Sequence, residues 1–413
     1  MARTLYPRFA LRAVNEALAD TPVVVLQGAR QVGKSTLAHQ LAKERNATLL
    51  TLDDELTLRA AREDPVALVN SAPEGTLIID EAQRAPQLIL PLKANVDANR
   101  RPGRFLLTGS ADLLRVKGVG DSLAGRAETV EMLPLSQGEL ARRTVPEDFI
   151  TWLLSGKHFR EFSPLNPEAV IRGGYPEAVQ RSGRRAQAWF ESVIVRLSDH
   201  DAPEFSQGSY AEHLRGLLAL IAAQGPAELV KARIARDLGA AESSVAAYLR
   251  LARTMRLTVE IPAWSRAPRA RVTRRPKVCL TDTGLGAALS SFTVPQAVSP
   301  GGREYLGALV EQLVTLELAK QQAWTSTFFR LHHYRDRDGL EVDLVAETYD
   351  GALVAIEVKS TQTITDRLWR NLFKFKERFP ERNVTGVLLY SGDTAATLHG
   401  WLHVLPITSM WEH

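Results

Sequence analysis

Gly28-Ala29-Arg30-Gln31-Val32-Gly33-Lys34-Ser35 fits G-x-x-x-x-G-K-[ST] at every fixed position. It follows the apolar run Val23-Val24-Val25-Leu26 and opens a helical pattern from Thr36 to Ala42. Strand, loop, then helix is the context a phosphate-binding loop requires. Glycine lets the backbone turn tightly and aim its N–H groups at phosphate oxygens. The helix N-terminus adds partial positive charge. On this reading Gly28, Ala29, Arg30, Gln31, Val32, Gly33, Lys34, Ser35 and Thr36 cradle ATP. Lys34 bridges the β- and γ-phosphates and Ser35 holds Mg²⁺.

Outward from the loop, Thr76-Leu77-Ile78-Ile79 and Arg104-Phe105-Leu106-Leu107 are short and wholly apolar at their centres. Such runs predict strands covered on both faces, as in a parallel α/β sheet. Asp80-Glu81 closes the first run. A carboxylate at the tip of a neighbouring strand is where Mg²⁺ needs a further partner, which fits Asp80, and Glu81 is placed to polarise the attacking water. An acidic pair after a strand also reads as a turn or helix cap; the preceding phosphate loop favours the first reading. Thr108 or Ser110, in Leu107-Thr108-Gly109-Ser110, is placed to sense the γ-phosphate, and a simple Thr-Gly-Ser turn is the alternative. Arg126, in Leu123-Ala124-Gly125-Arg126, is a candidate arginine finger acting on a neighbouring subunit; a solvated arginine is the plainer reading.

A chain of 413 residues is too long for one core and predicts several domains. The single cysteine, Cys279, excludes an internal disulfide and suits a reducing compartment. Arg3, Arg8 and Arg12 interrupt the N-terminus, so no secretion signal is read there, and no apolar run approaches a membrane span. A cytoplasmic protein without a membrane partner is expected. The net charge of +4 is modest, so the placement of charge matters more than its sum.

The pattern divides into 1–145, an α/β P-loop domain; 146–295, mainly helical; and 296–413, α+β. Glu228 to Leu238, Gly239-Ala240-Ala241, then Glu242 to Thr254 reads as helix, tight turn, helix. Arg266, Arg269, Arg271, Arg274, Arg275 and Lys277 follow with no acidic residue among them. Between strands at Leu257 to Ile261 and Pro276 to Leu280, they predict the basic wing of a winged helix gripping nucleic acid, DNA above all. A basic loop facing solvent, RNA or an acidic protein is the alternative.

Near the C-terminus, Asp343 lies in Leu340-Glu341-Val342-Asp343-Leu344-Val345, and Ile356-Glu357-Val358-Lys359 follows. In the second strand Glu357 and Lys359 share a face, with Ile356 and Val358 turned to the core. A two-residue turn at Asp350-Gly351 would pair Asp343 with Val358. A three-residue loop, Tyr349-Asp350-Gly351, with Gly351 left-handed, sets Asp343 opposite Glu357, and this is the predicted arrangement. Two carboxylates then hold Mg²⁺ while Lys359 steadies the attacking water or the developing charge. Restriction-type nucleases share this Asp, spacer, Asp/Glu-x-Lys pattern. In the helix around Tyr305 to Gln321, Glu317 projects toward the apolar stripe and Glu311 to its edge, which makes Glu311 the expected further carboxylate.

Gly28 to Thr36, Ile79-Asp80-Glu81-Ala82-Gln83, Leu107-Thr108-Gly109-Ser110 and Ser122-Leu123-Ala124-Gly125-Arg126 together resemble a large prokaryotic group of AAA-type ATPases whose C-terminal half is a domain of unknown function. Gly173-Gly174-Tyr175-Pro176, Lys277-Val278-Cys279-Leu280-Thr281-Asp282-Thr283-Gly284-Leu285 and Glu357-Val358-Lys359 are similar to that second half. The resemblance implies an AAA-like core, a winged-helix segment and a restriction-endonuclease-like end, with Glu311 as the glutamate of the nuclease helix. No clear second sensor arginine is found. The resulting expectation is an ATP-hydrolysing, DNA-binding homo-oligomer with a Mg²⁺-dependent nuclease domain. A nucleotide-switched regulatory protein of toxin–antitoxin or defence type, with a degenerate nuclease fold, is the alternative.

Overall fold

A computed structural model of the chain describes residues 5–110, 123–143, 147–156, 161–202 and 211–413. Arg3 and Ser122 lie outside the described residues. The chain divides into two units, Met1–Leu135 with Thr254–Arg256, and Ser136–Arg253 with Leu257–His413.

In the first unit, strands β1 (Val23–Gln27), β2 (Thr48–Thr51), β3 (Leu77–Asp80), β4 (Phe105–Gly109) and β5 (Ala127–Glu131) form one parallel sheet in the order β2-β3-β4-β1-β5. Every residue of β1, β3 and β4 is buried. Val23, Val25, Leu77, Ile79, Phe105 and Leu107 pack on one face with Ile89, Leu92 and Val96 of a helix spanning Ile89–Ala98. Val24, Leu26, Ile78 and Leu106 fill the opposite face. Two-faced burial explains why the apolar runs lack alternation. Because the strands are parallel and in register, Gln27, Asp80 and Gly109 end at one edge of the sheet, where α/β proteins bind ligands. Helices α1 (Ala10–Asp20) and α2 (Lys34–Arg45) flank β1 in sequence.

The second unit holds two sheets. The smaller contains β6 (Ala227–Glu228), β7 (Thr258–Ile261) and β8 (Lys277–Leu280), antiparallel, in the order β6-β8-β7. Helices α3 (Ala211–Gln224), α4 (Lys231–Leu238) and α5 (Glu242–Thr254) belong with it. Glu228, expected at a helix start, lies instead in β6, and the helix begins at Lys231. The basic segment between β7 and β8 is not a plain arm, because Pro268–Thr273 forms a short helix, α6, with proline in its first turn.

The larger sheet runs β13 (Ala396–Leu398), β14 (Leu402–Pro406), β12 (Val384–Tyr390), β11 (Leu353–Lys359), β10 (Glu341–Thr348), β9 (Phe329–Arg335). Helix α7 (Arg303–Gln321) covers one face, where Leu309, Leu313 and Val314 meet Leu344, Val354, Ile356 and Val387. Helix α8 (Arg370–Arg378) covers the other through Leu372 and Phe375 against Val345, Leu353 and Ala355. The chain's two glycine-marked segments weld together. Asp282 accepts from Gly174 N at 2.7 Å and caps the Thr283–Leu289 helix through Leu285 N at 2.8 Å. That carboxylate is held for structure. No helix among the described residues is long and apolar enough to cross a membrane.

Candidate functional site

The loop after β1 departs from ordinary backbone at Gln31 (φ 64°) and Gly33 (φ 103°). A Cβ on Gly28 would sit 2.2 Å from the Met132 carbonyl oxygen, so the loop approaches the segment after β5 too closely for any other residue. Arg8 completes that junction, donating to Val32 O at 2.5 Å and Leu133 O at 2.7 Å. Lys34 folds back on its own loop, donating to Gly28 O at 3.0 Å and Ala29 O at 2.9 Å. Burial pushes its ammonium down to about 8, with the Glu81 and Asp80 carboxylates resisting and Arg30 adding to the fall. Arg30 is half-buried, and Thr36, in the first turn of α2, is exposed.

Ser35 Oγ donates to Asp80 Oδ1 at 3.2 Å, and Thr108 Oγ1 donates to the same oxygen. Glu81 takes a left-handed conformation (φ 57°) and its N–H donates to Thr108 Oγ1 at 3.2 Å. The Gln83 amide bridges Glu81 Oε2 and Ser110 Oγ, leaving its own buried Oε1 without a partner. One side of the loop thus gathers Lys34, Ser35, Asp80, Glu81, Thr108 and Ser110. Ser35 and Asp80, an alcohol and a carboxylate in hydrogen-bond contact, are a donor pair that suits Mg²⁺. Arg126 is elsewhere. It precedes β5, at the end of the sheet opposite the loop, and binds Asp97 at 2.6 Å and Ala124 O at 3.1 Å. Arg8 and Gln83 were not assigned roles from sequence. Arg8 binds main-chain carbonyls, which leave no mark in a sequence, whereas Gln83 stands in the quoted Asp80-Glu81 motif.

In the second unit the β10–β11 hairpin has a three-residue loop. Thr348 N donates to Ala352 O, and Gly351 takes φ 86°. Leu344 pairs with Ile356, which makes Asp343 and Glu357 the next opposed positions. The β9–β10 register shifts between Val342 and Val345, so Asp343 sits in an irregularity that re-aims it. Asp343 Oδ2 accepts from Val358 N at 2.9 Å and lies 3.4 Å from Lys359 Nζ. Lys359 Nζ also donates to Glu357 Oε2 at 2.7 Å, while Glu357 Oε1 is buried without a partner. Glu311 Oε1 binds Lys277 Nζ at 3.0 Å, and Glu341 binds the same ammonium at 3.1 Å.

Burial first, then the Asp343 charge, raises Glu311 and Glu357 well above the usual carboxylate range; Lys277 and Lys359 respectively pull them back. Burial disfavours the charge on both lysines, yet their carboxylate neighbours outweigh it and push both ammonium groups up. Asp343 and Glu357, with one unclaimed oxygen, suit a hard divalent cation. Among the described residues no three His, Cys, Asp or Glu side chains are arranged to hold a metal. Glu317, by contrast, is buried structure, accepting from Gln137 N and Lys320 Nζ.

Lys277 is a correction. Counted from sequence with the DNA-binding arm, it is instead 5% exposed and enclosed by two glutamates, so it has no face left for a phosphate. Three other members of the arm are also held. Arg271 forks onto Glu347, Arg266 binds Glu381 at 2.7 Å and covers the Phe379 ring, and Arg274 donates to Arg335 O. Arg275 is exposed, as are Arg269 and Val272 on the short helix α6.

Residues 20–141 match a protein family described as an AAA domain. Residues 164–296 match a domain of unknown function, DUF8612, and 306–410 another, DUF4143. Two uncharacterised proteins, of Mycobacterium bovis and Mycobacterium tuberculosis, are each 29% identical over 361 residues, spanning 86% of this chain and 74% of theirs. Among solved structures, a Walker-type ATPase of Pyrococcus abyssi is 16% identical, covering 70% of this chain and 99% of that one with a TM-score of 0.43. A signal-transduction ATPase with a tetratricopeptide repeat sensor from Pyrococcus horikoshii covers 77% of this chain and 46% of that one, at 13% identity and a TM-score of 0.25. The N-terminal region is a P-loop domain of AAA type, and every nucleotide-site residue named above except Arg8 falls within it.

Proposed function

We propose that this chain hydrolyses ATP in its N-terminal unit and binds and cuts DNA with its second, working in the cytoplasm as a homo-oligomer. The observation that carries the first half is the convergence of Lys34, Ser35, Asp80, Glu81 and Thr108 on one side of a loop with left-handed backbone at Gln31 and Gly33. Lys34 exchanges the Gly28 and Ala29 carbonyls for phosphate oxygens, a gain because its charge is poorly matched where it rests. Glu81, tethered by Gln83 to Ser110, orients the attacking water, and Ser110 or Thr108 registers whether the γ-phosphate is present. Ser35 and Asp80 would hold Mg²⁺, which would supply charge neutralisation on the triphosphate. Arg126 serves hydrolysis only from a neighbouring subunit, since in its own it lies beyond the far end of β1.

For DNA, the order α3, β6, α4, α5, β7, β8 with sheet order β6-β8-β7 supports a winged-helix reading. Arg269 and Arg275 remain for phosphate contact. The nuclease reading is supported by Asp343, Glu357 and Lys359 meeting at one end of the hairpin, with one buried Glu357 oxygen unclaimed. There Mg²⁺ would supply Lewis-acid stabilisation, and Lys359 holds Asp343 and Glu357 in place.

The test is cleavage of supercoiled, linear and single-stranded DNA with Mg²⁺, with chelator, and with or without ATP. Wild type is expected to cut only with Mg²⁺, Lys359→Ala to lose cutting but keep ATP hydrolysis, and Lys34→Ala the reverse loss. Equal cutting by wild type and Lys359→Ala means a contaminating nuclease. One observation favours the regulatory alternative: Lys277 already neutralises Glu311. ATP hydrolysis and DNA binding without Mg²⁺-dependent cutting on any substrate would decide for it.

A further inference from the structure

Glu311, Glu341, Asp343 and Glu357 are knit to two lysines, Lys277 and Lys359. With every group charged, four carboxylates and two ammonium groups leave a sum of −2, the charge one divalent cation would cancel. The two lysines divide the work unevenly. Lys359 is on β11 and serves Asp343 and Glu357. Lys277 arrives from a different sheet, at the head of β8, and serves Glu311 and Glu341.

Two features are unaccounted for by a plain structural ion-pair network. Glu357 is 3% exposed and still keeps Oε1 without any partner. An oxygen so placed costs free energy unless a cation or proton reaches it. In addition, Glu311 lies close enough to Asp343 for the two charges to repel, but its Oε1 is taken by the Lys277 ammonium. Resting on the reading of Asp343 and Glu357 as a divalent-cation site, we propose that Lys277 is an internal stand-in for part of that cation. It holds Glu311 when the metal is absent and gives it up, as a third carboxylate ligand, when the metal binds. Lys277 keeps a partner throughout, because Glu341 stays beside it with a side chain 37% exposed. The exchange therefore strands no buried charge, and Lys277 sets the metal affinity by competing for Glu311.

The experiment titrates Mn²⁺ by calorimetry into full-length wild type, Lys277→Met, Glu311→Gln and the double variant, with Asp343→Asn as reference. Methionine keeps the apolar stem and removes the charge. Lys277→Met should bind Mn²⁺ about tenfold more tightly, as loss of a nearby unit charge implies. That gain should vanish when Glu311 is Gln. A gain of the same size in both backgrounds marks a field effect alone and overturns the exchange, as does no gain. Asp343→Asn binding Mn²⁺ as wild type does would instead sink the metal site itself. If Lys277→Met does not fold, wild type still decides. Acetylation of Lys277 by an amine-reactive reagent, followed by mass spectrometry, should rise several-fold at saturating Mn²⁺; an unchanged rate refutes the release.

Discussion

Lys34 and Lys277 are both buried lysines, and their surroundings move them in opposite directions. At Lys34 burial wins over two carboxylates and brings the ammonium down to about 8. At Lys277 three carboxylates win over burial and push it up. The difference separates a site short of anions from a site that supplies its own. The phosphate loop presents N–H groups, a helix N-terminus and an ammonium with carbonyls as temporary partners, an arrangement completed by a polyanion from outside. The C-terminal cluster is completed by its own lysines except for a residual negative charge.

That contrast breaks most visibly if each lysine is removed. Lys277→Ala leaves Glu311 buried and unpaired, at a cost of about 3–5 kcal/mol. All seven tryptophans lie in the second unit, so urea unfolding followed by tryptophan fluorescence reads that unit alone. The cost should shrink as pH falls. Glu311 already has a raised pKa, higher still without Lys277, so below it the glutamate takes a proton and no longer stands as a bare charge. A destabilisation under about 1 kcal/mol, or one that grows toward acid, contradicts a buried counter-ion. Lys34→Ala should leave this unfolding curve in place and lower ATP hydrolysis about 10²–10³-fold, the usual loss of one preorganised charge contact. Hydrolysis at the wild-type rate would remove the loop from the mechanism.

A smaller effect comes from pH. With the empty site's Lys34 at about 8, most of it is neutral at pH 9, and phosphate must then be bound with uptake of a proton. ATP affinity should fall about fivefold from pH 8 to pH 9 while calorimetry in buffers of different ionisation enthalpy shows proton uptake. The same shift works oppositely on folding without nucleotide. The unfolded lysine holds its proton to about 10.5, the folded one only to about 8, so between them the empty unit gains stability as pH rises. Affinity flat across this range would mean that the lysine is charged before ATP arrives.

What was legible in the sequence follows the same division. The phosphate loop announces itself because backbone geometry forces glycine at 28 and 33, phosphate chemistry calls for lysine at 34, and two-faced burial makes the strand before them wholly apolar at its centre. The Asp343–Glu357 opposition was legible too, since a three-residue loop ending on a left-handed Gly351 sets that register, although a two-residue turn at Asp350-Gly351 would also have used the glycine. The partner of Lys277 was not. Counting basic residues from Arg266 onward cannot tell a solvated arginine from a lysine heading a strand whose every residue is buried. The clue was the run Val278-Cys279-Leu280 directly after it: charge at the edge of such a strand needs a partner. The helix at Pro268–Thr273 was hidden because its arginines dominate the reading and the partner of Arg271, Glu347, lies far along the chain.

Arg126 sets the lower bound of the comparison, a basic group whose ion pair faces solvent. Its partner Asp97 has a side chain 44% exposed, and such pairs contribute about 0–1 kcal/mol. Arg126→Ala should therefore scarcely move the melting temperature or, from the far end of β1, the affinity for ATP. A finger acting across subunits makes a separate demand: hydrolysis falls while binding holds. Mixing Arg126→Ala with Lys34→Ala subunits should then restore part of the activity, since each supplies what the other lacks, an intact pocket from one and an intact arginine from the other. No recovery on mixing, with hydrolysis by Arg126→Ala alone unchanged, leaves this residue as the partner of Asp97 and nothing more.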